Sequence, residues 1–419
     1  MTHFLPMLAA LAAVLAPAMA AAQPIDPKTM ARIDRVLKRI PLIDGHNDLP
    51  WALREDFGLR VTGLERGTNR LKPPLMTDME RLRAGRVGGQ FWSVYISGTT
   101  TGDEAIRTTI EQIDAARRII DAYPQYLELA STADDMVRIH RRGRIGSLLG
   151  VEGGRQIGGS MAALRQFYEL GVRYMTLTHN QSTEWADAAT DEPKHQGMTD
   201  FGRAVVLEMN RLGMLVDLSH TSPQVMHQAI EISRSPVIFS HSDAHGLNPH
   251  PRNVPDDVLQ ALRPNGGVMM VTFVPPFLKA EIWARGRERS AQEARLKGLY
   301  PNSKATVEEQ LKAWEAANPE PQATVADVAD HVEHVVKVAG HDHVGIGGDL
   351  DGITTTVVGL GGAEGYPLLF AELIRRGWSD QNLAKLAGGN ILRVLRQAET
   401  VAASMKAEQP SMARLEPAK

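Results

Sequence analysis

The chain has 419 residues, of which 43% are hydrophobic and 23% charged, an ordinary balance for a globular protein with a sizeable core. Its formal net charge of −3 excludes the strongly basic surface with which proteins gather nucleic acid or anionic membranes. The sequence contains no cysteine, which excludes disulfides, a cysteine nucleophile and thiolate metal ligands. Any metal must therefore be held by histidine and carboxylate side chains, and any homodimer would be non-covalent.

The N-terminal residues differ in composition from the rest of the chain. Residues 4–22 are nearly all Ala, Leu, Met, Val and Pro, and they end in the small residues that a signal peptidase accepts. Pro6 and Pro17 disfavour an uncleaved membrane anchor. We therefore expect residues 1–22 to be a signal peptide and the mature protein to be secreted or periplasmic. Residues 403–419 form a polar tail that is too charged for a lipid-anchor signal, so no stable membrane anchor is expected.

Between these ends, residues 23–402 read as one domain in which short β-rich runs alternate with helical segments. The predicted strands are Ile40–His46, Gly89–Ile96, Ile145–Glu152, Val172–His179, Leu215–His220, Val237–His241, Gly267–Phe273 and Val344–Asp349. Helical spacing occurs between them, for example at Asp103–Ala122, Met161–Leu170, Phe201–Leu212, Pro223–Ser233 and Val325–Val338. Eight strands separated by helices predict an α/β fold, a (β/α)8 TIM-type barrel. A doubly wound open sheet is the alternative fold, but no glycine-rich phosphate-binding motif supports it.

Polar residues occupy the carboxyl ends of the predicted strands. Each of six residues lies at or just beyond the end of a different strand: His46, Glu152, His179, His220, His241 and Asp349. In a barrel all of those ends open on one rim, which is where active sites of this fold form. Unrelated core histidines would be scattered along strands and helices, so this distribution predicts a single functional site.

Five residues are candidate metal ligands. His46 and Asp48 are two residues apart, so in an extended chain both side chains point to the same side. Glu152 follows an apolar strand, where a metal would compensate for burying its carboxylate; a salt-bridged or helix-capping glutamate is the alternative. His220 and His241 each end an apolar strand with the sequence Ser-His, and neutral imidazole is a favoured zinc ligand.

These five donors are too many for one tetrahedral zinc ion with an open position. They suit two ions about 3.5–4 Å apart, bridged by a carboxylate and a hydroxide. His245 and His250 follow no strand end and are left out of the ligand set. His331 and His334 lie on a charged helical stretch, which predicts that they are exposed to solvent.

Ordered motifs along the chain resemble one enzyme family, the renal or membrane dipeptidases, which are zinc metallopeptidases. The motifs are Ile43-Asp44-Gly45-His46-Asn47-Asp48, Gly150-Val151-Glu152-Gly153, Thr176-Leu177-Thr178-His179, Trp185-Ala186-Asp187, Asp217-Leu218-Ser219-His220, Ser240-His241-Ser242, Arg252-Asn253-Val254-Pro255-Asp256-Asp257, Gly347-Gly348-Asp349-Leu350-Asp351-Gly352 and Gly389-Asn390-Ile391-Leu392-Arg393-Val394. The resemblance implies a metallo-dependent hydrolase-like barrel with two Zn²⁺ per chain. It also implies hydrolysis of free dipeptides, with those carrying a D-residue at the C-terminal position among the candidate substrates.

The resemblance further implies a role for each metal-binding residue. His46 and Asp48 would bind one zinc ion, and His220 and His241 would bind the other. Glu152 would bridge the two ions and so belongs to the catalytic residues. The implied nucleophile is a metal-bridging hydroxide.

The same resemblance implies three substrate contacts. His179 would contact the scissile carbonyl oxygen, and Arg252 would bind the terminal carboxylate of the dipeptide. Asp349 would contact the substrate amine and help to move protons, in preference to Asp351. A planar guanidinium matches a carboxylate through two hydrogen bonds, so an Asp and an Arg on either side of two metals would measure the length of a dipeptide.

One segment departs from the family pattern. Residues 276–322, after the seventh predicted strand, form an insertion that is longer and more polar than expected. Its charges occur at helical spacing, which predicts a solvated face. A lid that selects substrates is the alternative, because loops after barrel strands open on the catalytic rim.

Two other functional classes compete with a dipeptidase. A different binuclear amidohydrolase, such as a lactonase or an N-acyl amino acid deacylase, would use similar ligands. Such enzymes commonly begin with His-x-His, where this chain has His46-Asn47-Asp48, and many use a strand-end lysine that the ligand set here lacks. A non-catalytic metal-binding receptor is disfavoured because all presumed ligands and substrate contacts are present.

Overall fold

A computed structural model describes residues 24–415, so the expected signal peptide lies outside the described residues. Its nine strands are β1 Leu42–Asn47, β2 Val87–Tyr95, β3 Leu127–Leu129, β4 Ile145–Glu152, β5 Val172–Thr176, β6 Leu215–Asp217, β7 Ile238–Ser242, β8 Val268–Val271 and β9 Val344–Ile346. They pair in the order β2-β1-β9-β8-β7-β6-β5-β4, and β2 also pairs with β4. All pairs are parallel, so eight strands close into a barrel, and β3 pairs with the start of β4. The predicted TIM-type barrel is confirmed.

Helices surround the barrel and connect its strands. They are α1 Pro27–Leu37, α2 Leu49–Phe57, α3 Met79–Ala84, α4 Gly102–Ala122, α5 Ala133–Arg141, α6 Met161–Glu169, α7 Asp200–Leu212, α8 Pro223–Ile232, α9 Asp256–Asn265, α10 Pro275–Leu278, α11 Ala280–Leu299, α12 Lys304–Ala317, α13 Val325–Val338, α14 Tyr366–Arg375, α15 Asp380–Ala384 and α16 Asn390–Ser404. A π-helical turn, Lys385–Gly389, joins the last two. Within residues 24–415, no helix combines the length and the apolarity needed to cross a bilayer.

The barrel interior is packed with alternate residues of its strands, because successive strand side chains point to opposite sides. Ile43, Phe91 and Tyr174 belong to this interior cluster. Two glycines allow β1 and the end of β9 to approach β7: a Cβ at Gly45 in β1 would lie 2.5 Å from the carbonyl oxygen of Ser240, and a Cβ at Gly347, directly after β9, would clash with the same oxygen. This close approach brings the carboxyl ends of the three strands together, and these strands carry candidate site residues.

After β8, α11 and α12 form a helical hairpin, residues 280–317, which we call the rim hairpin. Its own small cluster contains Leu296, Val307 and Leu311, with Trp314 packed against it. Most of the charges that the sequence placed on a solvated face are exposed, among them Arg287, Glu288, Arg289, Arg295, Glu308, Glu309 and Lys312. The solvated-face interpretation therefore agrees with the structure for these residues.

The structure also describes the tail as far as residue 415. Helix α16 continues to Ser404, and the chain then packs back against α6 and α7. The backbone N–H of Ser411 donates to Glu208, and Arg165 donates to the carbonyl oxygen of Ser411. This part of the polar tail is thus attached to the barrel.

One interpretation of the sequence is wrong. His331, expected to be solvated, is fully buried on α13, where its Nδ1 accepts from the backbone N–H of Ala244 and its Nε2 lies 3.1 Å from the carbonyl oxygen of Leu278. His334 is half-buried, with Nε2 2.8 Å from Asp256. Helix α13 carries many charged residues, but one of its faces packs on the barrel and buries His331.

Candidate active site

The residues singled out from the sequence meet at the carboxyl end of the barrel. They line a cavity of about 370 Å³: Asp48, Glu152, His179, His220, His241, Arg252 and Asp349. His46 lies behind this wall, fully buried in β1. Because parallel strands all end on the same rim, residues that are far apart in the sequence converge here. Asp351 does not line the cavity, and its carboxylate accepts from the backbone N–H of Met76.

Glu152 lies at the centre of the candidate ligands. Its Oε2 is 3.4 Å from Nε2 of His46. Its Oε1 is 3.1 Å from Nε2 of His220 and 3.5 Å from Nε2 of His241. Asp48 completes the first group, with Oδ2 3.1 Å from Nε2 of His46. The two oxygens of one carboxylate thus face two separate groups of donors, as a bridge between two ions requires.

These donors fit a divalent metal. Nε2 of His46 and Oδ1 of Asp48 are buried without a hydrogen-bond partner, and Nε2 of His220 lies 2.9 Å from Nε2 of His241. Lone pairs that converge in this way are suited to hold a cation between them. Nitrogen and carboxylate oxygen donors without thiolates suit zinc and similar metals.

Two residues that the family resemblance assigns to the substrate also lie within ligand distance. Candidate donor atoms within 4.8 Å of one another include His179 together with Glu152 and His220. They also include Asp349 together with His46 and Asp48. His179 and Asp349 are therefore placed next to the metal groups, where a bound substrate would meet both.

Two of the candidate ligand histidines, His46 and His220, are each oriented through the other ring nitrogen. Nδ1 of His46 lies 2.8 Å from the hydroxyl oxygen of Tyr174, which itself donates to the carbonyl oxygen of Gly45. Nδ1 of His220 lies 3.1 Å from the side-chain oxygen of Asn180. These acceptors place the ring proton on Nδ1 and leave the Nε2 lone pair directed to the centre of the site.

The electrostatics of the site favour the metal-binding protonation states of His220, His241 and Glu152. Burial lowers the pKa of His220 well below its usual range, and the nearby Arg252 charge adds to this effect. Burial also lowers the pKa of His241 well below its usual range. Burial alone would raise the pKa of Glu152, but His46 and His179 hold it well below its usual range. His220 and His241 are thus neutral and Glu152 is charged at neutral pH. Burial alone would lower the pKa of His46, but Tyr174, Asp48 and Glu152 hold it well above its usual range.

Asp349 behaves in the opposite way. Burial raises the pKa of Asp349 well above its usual range, and the negative charges of Asp48 and Glu152 add to this effect. Its backbone is also unusual, with a φ of 60°, and His220 has a φ of 67°. A left-handed conformation costs a non-glycine residue about 1–2 kcal/mol and persists where the surrounding structure holds it, often at functional sites.

Asp44 connects the two strands that carry His46 and precede Asp349. One carboxylate oxygen accepts from the backbone N–H of His46 at 2.9 Å and from Gln90 at 2.7 Å. The other accepts from the backbone N–H of Gly348 at 2.7 Å and from the hydroxyl of Tyr366 at 2.6 Å. Four donors therefore satisfy a buried carboxylate that holds two parts of the site in register.

Arg252 is a buried cation that faces the cavity. It is 2% exposed, and no carboxylate among the described residues lies within salt-bridge distance of its guanidinium. Its Nη2 donates to the carbonyl oxygen of His241 at 3.2 Å, and its Nε has no partner. Burial lowers the pKa of Arg252 to about 10, so it is still protonated at neutral pH. A buried, incompletely paired guanidinium is suited to bind an anionic group.

The cavity is also lined by residues that the sequence reasoning missed, among them Trp51, Tyr95, Asn180 and Phe277. Tyr95 ends β2 and is paired in register with Glu152, so the strand-end rule could have found it. Asn180 directly follows His179 and could have been found as its polar neighbour. Trp51 and Phe277 lie in helices after strand ends and leave no polar signal in the sequence.

The sequence matches a known family over most of its length. The model of the membrane dipeptidases, peptidase family M19, matches residues 30–409. The chain belongs to this family. Dipeptidase verJ of Clonostachys rogersoniana is 40% identical over 383 residues, which cover 89% of this chain and 88% of that protein. The protein is therefore a metallo-dipeptidase, as the motifs indicated.

Solved structures of the membrane dipeptidase family share the fold. The probable dipeptidase PvdM of Pseudomonas aeruginosa has a TM-score of 0.76 at 24% identity, covering 90% of this chain and 99% of that one. A metallopeptidase of Rhodobacter sphaeroides, bound to a phosphinate mimic of L-Ala-D-Ala, has a TM-score of 0.71 at 22% identity, with 86% and 99% covered. At these identities the likeness concerns the barrel architecture.

Proposed function

We propose that this dipeptidase uses two zinc ions to hydrolyse the peptide bond of free dipeptides. The observation that carries the proposal is the position of Glu152, whose two oxygens face two separate groups of donors. His46 and Asp48 would hold one ion, and His220 and His241 the other. When bound, the ions would supply an activated bridging hydroxide and polarise the scissile carbonyl.

The remaining residues would recognise the two charged ends of a dipeptide. Arg252, which is buried and has no carboxylate partner among residues 24–415, would bind the terminal carboxylate. Asp349, beside His46 and Asp48, would bind the substrate ammonium and hold or release a proton. His179 lines the same cavity and would donate to the carbonyl oxygen as it gains negative charge. A longer peptide would place one of its terminal charges away from its partner.

We also propose two features of the substrate and location. Dipeptides with a D-residue at the C-terminal position belong in the substrate class to be tested, given the L-Ala-D-Ala mimic bound by the Rhodobacter sphaeroides structure. The expected signal peptide supports export of the mature enzyme to the periplasm or outside the cell.

One experiment tests the proposal directly. Purified mature protein is analysed for bound metal and assayed on L-L, L-D and D-L dipeptides, their C-terminal amides, lactones and N-acyl amino acids. We expect two zinc ions per chain and hydrolysis restricted to free dipeptides, with activity lost on chelation and restored by zinc. Preferred cleavage of lactones or N-acyl amino acids would contradict the proposal and support a different amidohydrolase activity.

A further inference from the structure

Arg252, Val274 and Phe277 are among the residues that line the cavity. Val274 and Phe277 belong to the start of the segment between β8 and β9, just before the rim hairpin. Of the described residues that line the cavity, none lies in residues 280–317. Any influence of the rim hairpin on the substrate must therefore pass through intermediate residues.

The guanidinium of Arg252 depends on packing against neighbouring side chains because it makes few hydrogen bonds. Its guanidinium donates to the hydroxyl of Ser242 at 3.5 Å and to the carbonyl oxygen of His241 at 3.2 Å. Its central carbon lies 5.3 Å from the centre of the Phe277 ring, within the range of a cation–π contact. The position of a long side chain with two weak hydrogen bonds depends on the ring against which it packs.

Two successive ring–ring contacts connect the Phe277 ring to the rim hairpin. The ring of Phe277 lies 4.4 Å from that of His250, and the ring of His250 lies 4.9 Å from that of Trp283. His250 also accepts the backbone N–H of Arg252 on its Nδ1 at 3.1 Å. Trp283 is half-buried in the first turn of α11. His250 therefore contacts both the backbone of Arg252 and the two aromatic rings.

The backbone at Phe277 is held independently of Trp283. The side chain of Asn248 donates to the carbonyl oxygen of Phe277 at 2.9 Å, and that of Asn253 donates to it at 2.8 Å. These bonds join the loop that carries Arg252 to helix α10, which carries Phe277. Removing the Trp283 ring should thus free the side chains of His250 and Phe277 without separating the loop from α10.

We propose that Trp283 is a positioning residue for substrate recognition. Through His250 and Phe277, it holds the guanidinium of Arg252 in the orientation that binds the terminal carboxylate of a dipeptide. The rim hairpin thereby supports Arg252, the residue that binds the terminal carboxylate of the substrate. This inference rests on the proposed function of Arg252 and adds a specificity role for a segment outside the cavity.

The rim hairpin offers a matched control. Trp314 also packs against an arginine, with Arg285 4.0 Å above its ring, but this pair lies within the hairpin and its base. Trp283→Ala and Trp314→Ala therefore each remove one half-buried tryptophan from the same hairpin. Only the first removes a contact with His250.

The experiment compares a free dipeptide with the C-terminal amide of the same dipeptide. For Trp283→Ala we expect the ratio of kcat/KM between free and amidated substrate to fall by about 2- to 10-fold, the scale of one aromatic contact. The loss should appear in KM for the free dipeptide, with kcat and metal content unchanged. Trp314→Ala should keep the wild-type ratio, and Trp283→Phe should restore most of it.

Three results would overturn the inference. One is an equal loss on free and amidated substrates in Trp283→Ala, which would indicate a general structural role. Another is the same change of ratio in Trp314→Ala. If Trp283→Ala does not fold, Trp283→Leu keeps apolar bulk without the ring, and a wild-type ratio in that variant would also contradict the inference. A wild-type enzyme that cleaves both substrates equally would instead contradict the proposed role of Arg252 itself.

Discussion

The hydroxyl oxygen of Ser240 lies 2.8 Å from Nδ1 of His241 and 2.6 Å from a carboxylate oxygen of Asp217. The imidazole can donate to the hydroxyl while the hydroxyl donates to the carboxylate. Asp217 is fully buried and also accepts from Thr176 and from the backbone N–H of Ser219. A carboxylate and a hydroxyl thus fix the tautomer in which Nε2 of His241 is free to bind metal.

Ser240→Ala should therefore weaken metal binding without removing a ligand. We expect the affinity for zinc to fall by about 10- to 100-fold, the usual effect of losing such a supporting contact. Competition with a chelator of known affinity measures this directly. Thr176→Val removes a different donor to Asp217 and should lower stability while keeping the zinc affinity of the wild type. Equal affinities for Ser240→Ala and the wild type would contradict the role given to Ser240.

Glu152→Gln tests the bridge. The substitution keeps the shape of the side chain but replaces one charged oxygen with an amide, so both metal groups lose a partner. We expect zinc content to fall from two ions per chain and the remaining affinity to drop at both sites. Glu208→Gln is a matched control, since Glu208 is equally buried but pairs with Arg165 and Arg211 away from the cavity. A fully active enzyme with one tightly bound ion would rule out the binuclear site.

Arg252→Ala tests the carboxylate anchor. Metal content should stay at the wild-type level because no metal-binding atom is removed. The transition state for a free dipeptide should lose about 2–5 kcal/mol, as when one partner of a buried charge pair is truncated. This loss is measured as the change in kcat/KM, with the exposed Arg289→Ala as control. Wild-type activity on amidated dipeptides equal to that on free ones would contradict this role of Arg252.

The strand ends could be predicted from the sequence because each combines an apolar run with one polar residue. All strands of a parallel barrel end on the same rim. The sequence alone therefore predicted that His46, Glu152 and His241 lie close together. The family resemblance added the roles of Arg252 and His179, which no periodicity reveals. Glu152, His179, His241 and Arg252 line the cavity, and His46 lies behind its wall.

The supporting contacts could not be predicted in the same way. The candidate ligand histidines are contacted by Asn180, Ser240 and Tyr174. These contacts depend on side-chain rotamers and strand register, which cannot be predicted from a single sequence. The contact between Trp283 and His250 joins the first turn of α11 to a loop, and neither residue belongs to a motif that predicts it. His331 was misassigned because a charged helix can still bury one polar residue when backbone groups satisfy both ring nitrogens.

His179→Ala tests the contact with the scissile carbonyl oxygen. Its Nε2 lies 3.6 Å from Glu152, yet the proposed role assigns it to the substrate and not to a metal. An oxyanion contact strengthens as charge develops, so turnover should fall more than substrate binding. We expect a loss of about 10²–10³-fold in kcat with two zinc ions retained. Loss of zinc from this variant would instead make His179 a metal ligand.

Asp349→Asn separates charge from shape at the other end of the substrate. The amide keeps the size of the side chain but removes the negative charge that would hold the ammonium and the basicity that would accept a proton. Both KM and kcat should therefore deteriorate, in contrast to the selective effect on kcat expected for His179→Ala. Asp351→Asn is the matched control, because that carboxylate bonds to the Met76 backbone outside the cavity and should leave substrate binding unchanged. Metal analysis of both variants completes the test: near-normal turnover in Asp349→Asn with both zinc ions bound would show that this carboxylate neither anchors the amine nor moves the proton.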